Sequence, residues 1–119
     1  MSSPAHIAER YIAVWNETDA LRRQRLLAET WAPDATYVDP LQRSDGLEQI
    51  SAMIGAVHDR FPGFTFALDG EADGYGDYVR FSWGLGPAGA DAPIKGSDVA
   101  VLTAGRLCSI IGFLDQVPG

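Results

Sequence analysis

Between Pro4 and Asn16 the apolar residues Ile7, Tyr11, Val14 and Trp15 recur at the spacing of one helical face. Pro4 suits a first turn, so residues 4–16 predict an amphipathic helix. Asn16 to Asp19 breaks the pattern. Thr18 or Asp19 can then cap a second helix in which Leu21, Leu26, Leu27 and Trp31 alternate with Arg22, Arg23, Arg25 and Glu29. Pro33 and Asp34 are expected to stop it. Ala35-Thr36-Tyr37-Val38-Asp39 is β-prone and ends at Pro40, which has no N–H for a sheet ladder. Asp45 with Glu48 has the form of a capping box opening a third helix, carried by Leu47, Ile50, Ile54, Val57 and Phe61 and closed by Pro62-Gly63.

From Phe64 the period falls to two. Phe64, Phe66 and Leu68 alternate with Thr65, Ala67 and Asp69, and after the turn-rich stretch 73–77 the residues Val79, Phe81, Trp83 and Leu85 alternate with Tyr78, Arg80 and Ser82. A loop over Gly86 to Pro93 precedes two further strands, about 94–103 and 107–117, joined by Ala104-Gly105. Helices followed by a four-stranded antiparallel meander predict an α+β domain with the helices against one sheet face.

Length and composition narrow the class without naming a reaction. The 119 residues suit one domain over 1–119, and 46% hydrophobic with 21% charged residues is ordinary for a globular chain. A net charge of −7 makes nucleic acid and anionic membrane poor partners. Met1 to Ala8 has no basic cluster followed by an apolar run, and no segment reaches the roughly 20 apolar residues of a membrane span, so the cytoplasm is the expected compartment. Cys108, alone in an apolar stretch, reads as a buried, inert thiol. Two histidines, one cysteine and no paired-ligand spacing give no metal site, and His6 and His58 read as exposed.

Chemistry is sought where a polar group interrupts an apolar row. Tyr11 shares the face of Ile7, Val14 and Trp15; it is either a core tyrosine bonded to a carbonyl or a donor aimed into a site. Asp98 is the one carboxylate in the row Ile94, Gly96, Asp98, Ala100, Leu102, and must be paired, protonated or beside a wet cavity, unless it is a partly exposed strand residue. Asp39, held extended by Pro40, either opens the turn 40–42 or presents a carboxylate at the strand end. Arg80 lies in a polar row and reads as solvated or ion-paired.

Arg10-Tyr11-Ile12-Ala13, Trp15-Asn16, the run from Trp31 to Pro40, Gly46 opening a helix, Gly96-Ser97-Asp98, Gly105-Arg106-Leu107 and Gly112-Phe113-Leu114-Asp115 together resemble the nuclear transport factor 2-like superfamily. Its members include ketosteroid isomerase, the SnoaL-like polyketide cyclases, limonene-epoxide hydrolase and scytalone dehydratase. The likeness covers nearly the whole chain. It implies a cone-shaped, curved antiparallel sheet packed on three N-terminal helices around a deep pocket, which Trp15, Tyr37, Ile54, Phe81, Trp83 and Phe113 would line. It also implies a homodimer through the outer sheet face. The rows holding Val99, Val101, Ile110 and Leu114 make both faces apolar, so a second cover is needed on one of them.

Matched to the isomerase, Tyr11 falls on its oxyanion-hole tyrosine, Asp39 on its general base and Asp98 at or near its protonated aspartate. Proton abstraction α to a carbonyl needs such a base on one side and donors facing the enolate oxygen on the other. The implied function is acid/base chemistry, without cofactor, on a small apolar carbonyl compound. A non-catalytic ligand-binding or dimerisation module of the same fold is the alternative.

Overall fold

The computed structural model describes residues 3–118; Met1 and Ser2, at the head of the N-terminal stretch, and Gly119 lie outside the described residues. The chain runs α1 (Pro4–Asn16), α2 (Ala20–Thr30), β1 (Trp31–Val38), β2 (Arg43–Asp45), α3 (Leu47–Arg60), β3 (Phe64–Leu68), β4 (Asp73–Tyr75), β5 (Tyr78–Pro87), β6 (Ile94–Thr103) and β7 (Arg106–Gln116). Among the described residues, no helix is long and apolar enough to cross a membrane.

Ser3 caps α1 by accepting from the His6 N–H, with Pro4 in the first turn, and the helix buries Ala8, Tyr11, Ile12, Val14 and Trp15. Its last residue anchors it to the sheet. The Asn16 amide donates to the Phe66 carbonyl at 2.9 Å and accepts from the Phe66 N–H at 2.8 Å, so a side chain read as a break serves as a bidentate clamp.

Three local expectations are corrected. In α2, capped by Asp19, Leu21 is exposed and Arg23 is buried, because Arg23 is one turn from Leu27 on the inward face. The Arg23 guanidinium donates to the Ser51 hydroxyl and to the Glu17 carbonyl at the end of α1, where the negative pole of the helix offsets its charge. Trp31 leaves the helix and opens β1, which tolerates Pro33 on its exposed side at a register irregularity against β7. The start of α3 is no Asp45–Glu48 box: Gly46, with φ 84°, is the cap, and Gln49 accepts from the Asp45 N–H.

The sheet order is β2-β1-β7-β6-β5-β3, with β4 paired to β5. The predicted meander β3-β5-β6-β7 is antiparallel, but β1 adds to β7 in parallel, so the curved, unclosed sheet is mixed. The turn at Ala104-Gly105 takes positive φ at both residues, as a two-residue hairpin requires. A bulge between Val101 and Leu102 then shifts the β6–β7 register so that Asp98 faces Gly112. Ile110 lies on the inner face with the helices, as does Leu114 by alternation, while Val99 and Val101 lie on the outer face.

Candidate active site

An aromatic cluster fills the space between α1 and the sheet. Tyr11 stacks on Trp31 with ring centres 5.7 Å apart and meets Phe81 at 4.9 Å; Trp15 meets Phe66 at 5.1 Å and Tyr37 at 5.7 Å. Beside this cluster a half-open cavity of about 890 Å³ enters the domain, at the upper end of what small-molecule sites occupy.

Tyr11, Asp98, Tyr37 and Asp39 all reach this cavity. The Tyr11 hydroxyl donates to Asp98 Oδ2 at 2.6 Å, and the Tyr37 hydroxyl donates to Asp39 Oδ2 at 2.7 Å. Gly112 ties the two pairs together. The point where a Cβ on Gly112 would sit is 2.9 Å from Asp98 Oδ1, 3.3 Å from Asp39 Cβ and 3.4 Å from the Tyr37 oxygen. The two Tyr–Asp pairs therefore converge on a space that only a residue without a side chain leaves open.

The two carboxylates differ in their surroundings. Asp39 Oδ1 accepts from the Leu41 and Gln42 N–H groups at 2.8 and 3.0 Å, so Asp39 opens the turn after Pro40 while also lining the cavity. Both of its oxygens are occupied. Asp98 is buried, and its Oδ1 has no hydrogen-bond partner. Burial pushes the Asp98 carboxyl up to about 6; Tyr11 and the Trp83 indole, which closes no full hydrogen bond, hold it down, while the charges of Asp39 and Asp115 raise it. Burial, followed by the Asp98 charge, raises the Tyr11 hydroxyl well above its ordinary value, and the same two causes raise Tyr37. Both remain neutral donors.

Of the other expected lining residues, Trp15, Tyr37, Trp83 and Phe113 line the cavity, Phe113 at its exposed mouth. Ile54 and Phe81 do not. Ile54 points into the core with Ile50, and Phe81 packs behind Tyr11, so α3 contributes Val57 and Arg60 instead. No signal in the sequence points to Arg60, and Gly112 enters only through the Gly112-Phe113-Leu114-Asp115 motif of the resemblance, with no role attached. His58 is half-buried, with Nε2 2.6 Å from the Trp15 carbonyl, rather than exposed. Cys108 is only half-buried and accepts from the Thr103 hydroxyl. Arg80 forms an exposed pair with Asp73 at 2.8 Å. Among the described residues, no three His, Cys, Asp or Glu side chains gather where a metal ion could be held.

A family model for the SnoaL-like domain matches residues 8–110. The chain belongs to the SnoaL-like family. A proposed isomerase of that family from Agrobacterium tumefaciens strain C58 is 44% identical, with 92% of this chain and 95% of that one covered and a TM-score of 0.88. A proposed ketosteroid isomerase from Kribbella flavida (16% identity, 96% and 78% covered, TM-score 0.71) shares the fold. So does a proposed SnoaL-like polyketide cyclase from Jannaschia sp. CCS1 (18% identity, 97% and 90% covered, TM-score 0.70). No curated protein matches the chain. The family thus has neighbours labelled isomerase and cyclase on one fold, and a fold alone does not assign a reaction.

Proposed function

We propose that this SnoaL-like protein is an acid/base enzyme that moves a proton α to a carbonyl in a small, largely apolar substrate, with Asp98 as the proton-transferring group. The reading rests on one observation: a buried carboxyl with a free Oδ1, held by Tyr11 and raised to about 6, beside an aromatic cavity. A group titrating near neutrality is suited both to accept and to return a proton. The Asp98 carboxylate takes the α proton, the C–H electron pair moves into the enolate, and the Asp98 carboxylic acid later returns the proton at the same or a conjugated carbon. As Asp98 becomes protonated, the Tyr11 hydroxyl turns its hydrogen bond to the developing enolate oxygen. Asp39, whose oxygens already serve a turn and Tyr37, holds the wall of the site in this scheme.

The test is exchange of α protons of enolisable aryl ketones in heavy water, followed by NMR. Expected is exchange above buffer with the native chain and a loss of about 100-fold or more in Asp98→Asn. Tight binding of the same ketones with no exchange above buffer would assign the cavity to a ligand-binding module instead.

We also propose that a second copy of the chain covers the outer sheet face. Val38, Val99, Val101 and Ile111 adjoin one another there and are only half-buried. A closed two-fold dimer would bury this row.

A further inference from the structure

Aromatic and aliphatic side chains form most of the cavity wall, with the Tyr11–Asp98 pair buried among them and Arg60, Asp115 and Gln116 exposed, together with the apolar Leu41, Phe113 and Val117. The charges along it are unequal in commitment. Asp39 is held by Leu41, Gln42 and Tyr37, Asp115 accepts from the Ser97 hydroxyl at 2.6 Å, and Asp98 accepts from Tyr11. Among the described residues that line the cavity, Arg60 is the one cation. It is exposed, its guanidinium lies 5.7 Å from the centre of the Phe61 ring, and it takes part in neither of the ion pairs formed among the described residues. Stacking on an aromatic ring restricts a guanidinium without using its donors.

We infer that Arg60 selects substrates carrying an anionic group, a carboxylate in the simplest case, at the end opposite the reacting carbonyl. The substrate is then an apolar body with a carbonyl held near Asp98 and a carboxylate that meets the Arg60 fork at the mouth. This rests on the reading of the cavity as the substrate site, and it commits that site to a bifunctional acid rather than a neutral ketone. The net charge of −7 makes the point sharper, since an anion approaching this surface meets repulsion except where an uncommitted cation is offered.

The experiment measures binding of (4-acetylphenyl)alkanoic acids with short, medium and long tethers, each against its methyl ester, by quenching of tryptophan fluorescence, since Trp15 and Trp83 line the cavity. Expected is that at least one acid binds about 2- to 5-fold tighter than its ester at low salt, as one exposed Arg–carboxylate pair allows. The preference should vanish in Arg60→Gln and shrink at high ionic strength. Acids that bind no tighter than their esters, or a preference that survives Arg60→Gln, would overturn the inference. Asp98→Asn separates the two claims: it should abolish exchange yet keep the acid preference. Retained exchange in that variant would remove the proton-transfer role of Asp98 without touching Arg60.

Discussion

The Tyr11 hydroxyl and Asp98 Oδ2 lie 2.6 Å apart although 87 positions separate them in the chain, and this bond joins the first helix to the sixth strand inside the aromatic cluster. Removing its donor leaves a buried carboxyl with neither oxygen bonded. Tyr11→Phe is expected to lower stability by about 1–3 kcal/mol, the cost of an unsatisfied buried acceptor. It should also raise the Asp98 carboxyl above its native position of about 6, since the Tyr11 bond holds it down. Urea unfolding checks the first outcome and ¹³C-detected titration of the carboxyl the second.

Asp98 makes stability depend on pH in a defined direction. Its carboxyl titrates at about 6 in the fold against about 4 in the unfolded chain, so between those values the folded state binds more protons. Its contribution is fully present below about pH 4 and is lost as pH rises through about 6, amounting to roughly 2–3 kcal/mol at most. Unfolding measured from pH 4 to pH 8 should show this fall in the native chain, and Asp98→Asn should flatten it.

Gly112 leaves the room that the two Tyr–Asp pairs share. In Gly112→Ala the new methyl would sit 2.9 Å from Asp98 Oδ1, so the carboxyl must shift. Expected is a cost of about 1–3 kcal/mol from overpacking, together with a sharp loss of α-proton exchange. Native exchange in Gly112→Ala would mean that the Asp98 position is not tuned.

Arg23 is expected to matter for folding and not for chemistry. Arg23→Ala strips the Glu17 carbonyl and Ser51 of their donor and empties space between α2 and α3, for a loss of about 2–4 kcal/mol in unfolding experiments.

Helix and strand periodicity made most of the fold legible: α1, α3 and the strands β3, β5, β6 and β7 follow the spacing of their apolar residues, whereas β4, three exposed residues in the stretch read as turn-rich, carries no such pattern, and the order of motifs carried the family resemblance. The errors have local physical causes. Arg23 sits in a row of arginines whose burial depends on the Glu17 carbonyl and Ser51, which no helical pattern reveals. Trp31 looks like the last residue of an apolar helical row, yet parallel pairing with β7 draws it into a strand. For the site, the polar interruptions at Tyr11, Asp39 and Asp98 were visible, but their meeting depended on a bulge. Counting back from the Thr103–Arg106 pair without the shift at Val101–Leu102 sets Asp98 opposite Ile111, whereas the bulge brings it to Gly112. The hydrogen bonds that occupy Asp39 lie in a turn whose geometry the sequence only suggests.

The most direct test of the central claim compares Asp98→Asn with Asp39→Asn in the heavy-water exchange assay, across a range of pH. Expected is that Asp98→Asn loses exchange by about 100-fold or more, while Asp39→Asn keeps a rate that still rises with the Asp98 carboxyl, its midpoint moved below the native value of about 6 because the Asp39 charge that raises it is gone. Loss of exchange in Asp39→Asn with native rates in Asp98→Asn would contradict it and hand the proton to Asp39.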